Sequence, residues 1–515
     1  MACASHPHWG SLVGVCTSSS DVERLSLHTS SEADGIQALR KISRLSSESY
    51  DRVQTELGRQ IDMPTLQAAL LLARDPKTVS HLADPPVLKA CVRLMKSVEE
   101  SNPTEITPFS HEYGFLCFRL FVAVFNVCFL KRWDKLEEAL PLCDRDPELA
   151  AHTFTSWSAP ANLLQPALLP LSDVSILFDL IWNDRKQFLL SHIPFTPEST
   201  GLSGLIFLFS RYVANERTNK KQLQHKLYEI ALRYVLIADP GQRRATIDVI
   251  DANKCADDWF VTPKHIDADD SRFILCAYLR TMTLYKDIYT TLHPPVMLRL
   301  VALSVDDSSQ DMLPEVVRWT IEYGWRRFLS LDDEEDNFEM FIHLFVSSLS
   351  FLLLPPLDNE VRLVPSTQSK IIDTMHKGGL LDWVARALIR LRPPSSLAES
   401  EENGDNDVSA NTCPSGGKST DYSPRCRLAY LRFIESITSI VHMPGSGWLR
   451  TWGSNPRLTS TRAHTVTTGK LSVVRGLGLA VAGVFTLGIA MTVASEWTGN
   501  SSIPIHITDT CTTPA

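Results

Sequence analysis

The chain has 515 residues, 44% of them hydrophobic and 21% charged. That is ample apolar material for a large core and excludes a wholly disordered or collagen-like chain. The 50 basic residues face 59 acidic ones, and the net charge of −9 argues against a dedicated nucleic-acid binder.

In chain order, residues 1–33 are rich in Ser, Thr, His and Gly. They lack the basic start and continuous apolar core of a secretory signal, and they predict a disordered tail with the bulk of the chain in the cytosol. From residue 34 a helical pattern begins, with Ile36, Leu39 and Ile42 at a spacing of three and Val53 and Leu57 at a spacing of four. Pro64 opens a short apolar helix with Leu66, Leu70, Leu71 and Leu72, and Asp75-Pro76 stops it. Proline lacks an amide donor and restricts the residue before it, so it marks both first turns and stops. Pro85-Pro86 opens the next helix, with Val87, Leu88, Cys91, Leu94 and Met95.

Residues 108–131 predict a long apolar helix around Phe115, Phe118, Phe121 and Phe125; Arg119 and Asn126 interrupt it, and it reads as a buried helix. Further helices are predicted over 171–190, 198–214, 219–238, 271–290, 294–305, 313–329, 336–354, 366–391 and 426–442. Segment 219–238 shows the period most clearly: Leu223, Leu227, Ile230, Tyr234 and Ile237 form one stripe, and Asp239-Pro240 ends it. No sustained period-two alternation predicts strands. The class is all-α, a helical array over 34–392 whose short proline-rich connections suit stacked neighbours.

Within that array, Ile371-Ile372, then Gly378-Gly379-Leu380-Leu381-Asp382-Trp383-Val384, then Leu388-Ile389 resembles the armadillo pattern of helix, glycine turn and helix with paired leucines. Pro85-Pro86-Val87-Leu88 through Val92, Leu94 and Met95 is similar to a second unit. The resemblance covers about two units and implies armadillo- or HEAT-like stacking, an α-solenoid or an irregular array. The helical texture is also similar to that of fungal proteins ending in a MYND zinc finger. This chain departs from them, since no Cys/His cluster follows residue 426.

Residues 393–425 contain Pro393-Pro394, Gly416-Gly417 and acids such as Glu399, Glu401, Glu402, Asp405 and Asp407, with few apolar residues. They predict a disordered acidic linker or loop. Residues 426–442 then close the array, and 443–475 form a basic flexible linker carrying Arg450, Arg457, Arg462, Lys470 and Arg475. Gly476–Ser495 is an uncharged stretch of a length that spans about 30 Å as a helix. Its strongly apolar residues favour insertion by about 3–5 kcal/mol, and Trp497 stands at an interfacial position. Gly478 and Ala482 form a small-xxx-small pair suited to helix packing. With basic residues before the segment and none in the distal tail 496–515, the positive-inside rule places the N-terminal side in the cytosol, at the endoplasmic reticulum or the mitochondrial outer membrane.

The eleven cysteines are dispersed without a CxxC pair, which fits a reducing compartment and supplies no zinc site. His111-Glu112 lacks the second histidine of a metallo-motif, and Gly417-Lys418-Ser419 lacks the first glycine of a phosphate loop, Thr412 standing in its place. Cys276 beside Tyr278 has no identifiable base. His343 reads as a buried, hydrogen-bonded core histidine. Acids 332–336, and Asp267, Asp269 and Asp270, read as carboxylates favoured near helix N-termini. Arg217, Lys220, Lys221, Lys226, Arg243 and Arg244 read as a solvated basic face. No catalytic, cofactor-binding or metal residue is assigned. The sequence therefore predicts a non-enzymatic protein-interaction scaffold, tail-anchored through 476–495, with protein partners and neither nucleic acid nor small-molecule substrate. Two alternatives stand beside it. One is a soluble armadillo-like adaptor, the apolar tail being a wrongly joined coding segment at the compositional break near 443. The other is a helical enzyme whose site assembles only in three dimensions.

Overall fold

The computed structural model describes residues 6, 8–13, 31–47, 60–101, 106–145, 168–192, 201–252, 257–331, 337–353 and 363–390. The predicted linker 393–425, helix 426–442, linker 443–475, membrane segment 476–495 and tail 496–515 lie outside the described residues. Among the described residues the regular structure is helical, and the only β pairing is two isolated bridges.

The helices are α1 (Glu32–Arg44), α2 (Met63–Leu71), α3 (Pro85–Ser101), α4 (Glu112–Arg132), α5 (Leu136–Arg145), α6 (Leu171–Asn183), α7 (Arg185–His192), α8 (Ser203–Asn215), α9 (Lys220–Ile237), α10 (Pro240–Ala252), α11 (Ala268–Leu284), α12 (His293–Ser304), α13 (Leu313–Ser330), α14 (Asn337–Leu353), α15 (Pro365–Lys377) and α16 (Leu380–Arg390). Their starts follow from local chemistry. Ser31 and Asp34 cap α1 reciprocally. The Asp62 carboxylate accepts the Thr65 amide at 3.0 Å before α2. Prolines occupy the first turns of α2, α12 and α15 and the first position of α3 and α10.

The chain forms two units, Met1–Arg327 with Pro355–Leu363, and Phe328–Leu354 with Val364–Ala515. In the first unit α4 packs against α2 and α3, and α1 against the same two. Helix α4 is long and apolar enough to cross a membrane by length and composition, but 78% of that stretch is buried within the protein. It is a core helix, as its interrupting Arg119 and Asn126 suggest.

Helix α9 is the hub of this unit, packing against α6, α7, α8, α10, α11 and α12. Every residue from Leu227 to Ile237 is buried. The single stripe expected for 219–238 therefore describes only the first half of α9; the second half is buried on all sides, the condition of a helix inside a large core. Two further differences stand out. The helix predicted over 171–190 is broken at Asp184 into α6 and α7, and Pro240 both ends α9 and opens α10.

Part of the predicted N-terminal tail is docked. His6 and Gly10 exchange backbone hydrogen bonds at 2.9 Å each, and Val13 donates to the Ser110 carbonyl at 2.9 Å. His111, at the N-cap of α4, makes no side-chain cap. The helix's first amides, Glu112 and Tyr113, instead donate to the carbonyls of Ser11 (3.0 Å) and Trp9 (3.1 Å). Helix N-termini leave such donors orphaned, so the tail is held here because it satisfies them.

In the second unit α15 and α16 form the expected helix, glycine turn and helix, with Gly379 at φ 64°. Trp383 is fully buried among Phe345 (ring centroids 4.5 Å apart), Phe328 (6.1 Å) and Phe341 (6.2 Å).

Candidate functional site: a buried charge cluster on the central helix

A helix buried all round must pair every charge it carries, because an ion taken out of water without a partner is strongly disfavoured. The fully buried second half of α9 carries two, Glu229 and Arg233, one turn apart. Arg233 has no exposed surface. Its Nη1 and Nη2 donate to both oxygens of Asp270, in the first turn of α11, at 2.8 Å each. Nη2 also donates to the Lys264 carbonyl at 2.8 Å, and Nε to Glu229 at 3.3 Å. Planar fork-to-carboxylate pairing of this kind is the geometry for which arginine is suited.

The cluster continues on both sides. Asp270 Oδ2 accepts the Ile266 amide at 2.9 Å. Glu229 Oε1 accepts Arg185 Nε from α7 at 2.8 Å. Two guanidinium groups thus meet two carboxylates, binding α7, α9, α11 and the 264–266 loop together. Burial opposes the charge of Arg233, but Asp270 and then Glu229 outweigh it, and the guanidinium is held above its ordinary value. Toward the surface the pattern repeats in looser form. Arg185 lies over the Trp182 ring at 4.2 Å and Lys226 at 5.6 Å, while Lys226 pairs with Asp179 at 3.1 Å. Lys186 reaches both oxygens of Asp267 at 2.8 Å.

The residues singled out in the sequence distribute as follows. Asp267 is the N-cap of α11 and accepts the Asp270 amide at 2.9 Å, as a carboxylate at a helix start should. Asp270 is not a surface acid; it points inward to Arg233. Arg217, Lys220 and Lys221 are exposed, as expected of a solvated face. Arg243 departs from that expectation. It is buried, donates to the carbonyls of Val235 (3.1 Å) and Ala238 (2.7 Å) at the C-terminal end of α9, and lies over Tyr285 at 5.0 Å. Burial brings its pKa down to about 10. It serves as a C-cap for the hub helix.

Cys276 is exposed on α11; burial of the thiol pushes its pKa up and Arg272 only partly offsets this. It lacks the depressed pKa of a nucleophile. Tyr278 is buried and bonded to the Thr320 hydroxyl at 3.0 Å. His343 is half-buried on α14. His111 lies against the docked N-terminal segment. Among the described residues no group of three or more His, Cys, Asp or Glu is placed to hold a metal ion. A shallow notch between α9 and α11, lined by Leu236, Ala277, Arg280, Leu284 and Tyr285, has a volume of about 10 Å³, the room of a single water.

The cluster's chemistry is that of a clamp. Each ion faces an opposite charge at hydrogen-bond distance, and the four formal charges cancel. Sequence reasoning passed over its two central members for different reasons. Arg233 was visible as a charge one residue before Tyr234 of an apolar stripe, a place where a cation must be either misassigned or paired. Asp270 gave no signal of its own, because an acid in a first turn has a sufficient local explanation. Compared with known protein families, curated proteins and solved structures, the chain matches none.

Proposed function

We propose that this chain is a non-enzymatic helical scaffold that binds protein partners, held at a membrane by a helix over 476–495 with the array in the cytosol. The observation that supports the scaffold reading is the buried cluster. This set of interacting titratable side chains is matched in charge and spent on fixing α7, α9 and α11 to one another. Such a centre gives a rigid body, and a rigid stack of helices presents extended surface to partners. Armadillo-like stacking belongs to the same proposal and rests on the α15–α16 glycine turn. A contact surface is available beside the notch on α11, where Leu284 is 56% exposed next to Arg280 and Tyr285.

The anchor reading rests on the composition of 476–495 and on the basic residues before it. Two experiments test the anchor and a third tests the scaffold. Carbonate extraction of membranes from expressing cells should leave the chain in the pellet, and protease treatment of intact vesicles should remove an N-terminal tag while sparing a C-terminal one. Release into the supernatant would put the soluble-adaptor reading in its place. Cross-linking mass spectrometry should then find partner peptides attached near Arg280 and Lys286, and Leu284→Asp should remove them without moving the thermal midpoint. Cross-links unaffected by that substitution would place the contact elsewhere.

A further inference from the structure

The docked N-terminal segment is built around a histidine whose ionisation state decides whether it can hold. His6 Nδ1 accepts two backbone amides, from His8 at 3.2 Å and from Trp9 at 3.1 Å. An imidazole nitrogen accepts hydrogen bonds only while it is unprotonated, and histidinium has a donor at both nitrogens. Charging His6 would therefore turn an acceptor of two N–H groups into a third N–H facing them. The turn it closes carries the carbonyls of Trp9 and Ser11 to the first amides of α4. It also places Trp9 against Tyr113, with ring centroids 5.3 Å apart. Trp9 and Tyr113 are both buried in this arrangement.

The groups around His6 can be named. The His111 ring lies 6.3 Å away, edge-on. Burial lowers the pKa of His111 and the neighbouring His6 lowers it further. His8 stacks on Tyr113 at 5.7 Å and meets Trp9 at 4.2 Å. Glu112 of α4 accepts the Ser11 amide; burial raises its pKa and that hydrogen bond lowers it. From α2, Asp62 lies within electrostatic reach of Tyr113, and Met63 packs at Gly10. The two amides on Nδ1 can be accepted only by the neutral ring. Gly10 fixes the path of the turn: it sits at φ 78°, and a side chain there would collide with Met63 Sδ at 2.7 Å and Glu112 Oε2 at 2.8 Å.

We propose that His6 and residues His8–Val13 form an acid-released cap on the N-terminus of α4, closed while His6 is neutral and opened when it takes a proton, baring Trp9, Tyr113 and the first amides of α4. This proposal is independent of the scaffold reading. Histidine is the side chain whose charge changes between pH 5 and 8, so the device operates in the range of cellular compartments.

Hydrogen–deuterium exchange of the full-length protein, corrected for the intrinsic rate at each pH, tests this directly. At pH 7.5 the amides of Gly10, Val13, Glu112 and Tyr113 should be protected; at pH 5.5 their protection should fall about tenfold or more, the scale of losing two hydrogen bonds. His6→Asn supplies the control. Its side-chain oxygen can accept the same two amides and does not titrate, so protection should persist at pH 5.5. His6→Ala should be open at both values. The proposal fails if the wild-type segment stays protected at pH 5.5, if it is unprotected at pH 7.5, or if His6→Asn opens together with the wild type.

Discussion

The two units are organised around opposite kinds of centre. In the first, the hub helix buries an ionic cluster of Arg233, Asp270, Glu229 and Arg185, two of them without exposed side-chain surface. In the second, the largest fully buried side chain among the described residues is Trp383, set among three phenylalanines. Beside this centre the charge of Arg390 is half-buried, stacking over Phe338 at 4.5 Å and donating to the Phe328 carbonyl at 3.0 Å. An aromatic centre loses stability in proportion to the volume removed. A paired ionic centre loses far more when one partner goes than when both go, because the remaining ion is left in low dielectric. The difference predicts different responses to the same kind of damage.

The largest effect is expected where that asymmetry is sharpest. Arg233→Leu leaves Asp270 buried without its cation and should destabilise the first unit by about 3–5 kcal/mol. Asp270→Leu should be equally damaging for the converse reason. The double variant Arg233→Leu with Asp270→Leu keeps Arg185 and Glu229 paired and should recover at least half of either loss. Chemical denaturation of the four proteins forms a complete double-mutant cycle. Additive losses would remove the ionic description of the centre and break the comparison.

In the second unit Trp383→Ala should cost about 3–5 kcal/mol by cavity formation, and Trp383→Phe a fraction of that. No compensating partner substitution should exist. Denaturation curves at low and high salt should give the same loss, since no ion is involved. A salt-dependent loss would show that Arg390, and not the aromatic cluster, dominates this centre.

What was legible in the sequence divides along the same line. Most of the helices were readable because apolar spacing and proline position are local signals, though α5 and α10 were not predicted, and the glycine turn of the second unit was readable at Gly378-Gly379. The Trp383 centre needed only the apolar pattern. The ionic centre was half-legible: Arg233 stands beside an apolar stripe, but its partner lies 37 residues away and has a local explanation as a first-turn acid. The break at Asp184 carried no glycine or proline, because what fixes it is the Phe109 amide, 75 residues distant, which donates to its carboxylate at 3.0 Å. The docking of residues 8–13 was invisible for the same reason. It depends on orphan amides of α4, a hundred residues along the chain, and not on anything in the composition of the tail.

Asp184 sharpens the comparison, because it is a buried charge of the first unit held by an amide and not by a cation. Burial raises its pKa to about 7, and the Phe109 hydrogen bond offsets this only in part. The folded state therefore binds its proton more tightly than the unfolded chain does. Its favourable contribution is complete below the ordinary carboxyl pKa near 3.9 and is lost as pH rises through about 7. Stability should fall between pH 5 and pH 8 by up to a few kcal/mol on this account. Asp184→Asn keeps an oxygen for the Phe109 amide and removes the titration. Thermal midpoints across that range should be flatter in the variant, and higher than wild type at pH 8. An unchanged slope would assign the dependence to another group.

The smallest effect belongs to Asp267, where the same ionic chemistry is carried out at the surface. It caps α11 by accepting the Asp270 amide and pairs with Lys186, and its side chain is 50% exposed. Burial acts to raise its pKa, but the Lys186 and Asp270 bonds prevail and hold it below the usual carboxylate value. Stability from this group is thus present above the unfolded pKa and lost as pH falls through the lowered one. Asp267→Ala removes both cap and ion pair and should cost about 1 kcal/mol, nearly all from the cap, since half-exposed pairs contribute little. Asp267→Asn separates the two: asparagine caps as well as aspartate but cannot pair with Lys186, so it should fall within a few tenths of a kcal/mol of wild type. Because the cap fixes the first turn of α11, where Asp270 must meet Arg233, a loss in Asp267→Ala well above 1 kcal/mol would mean that the surface cap and the buried cluster fold as one cooperative element.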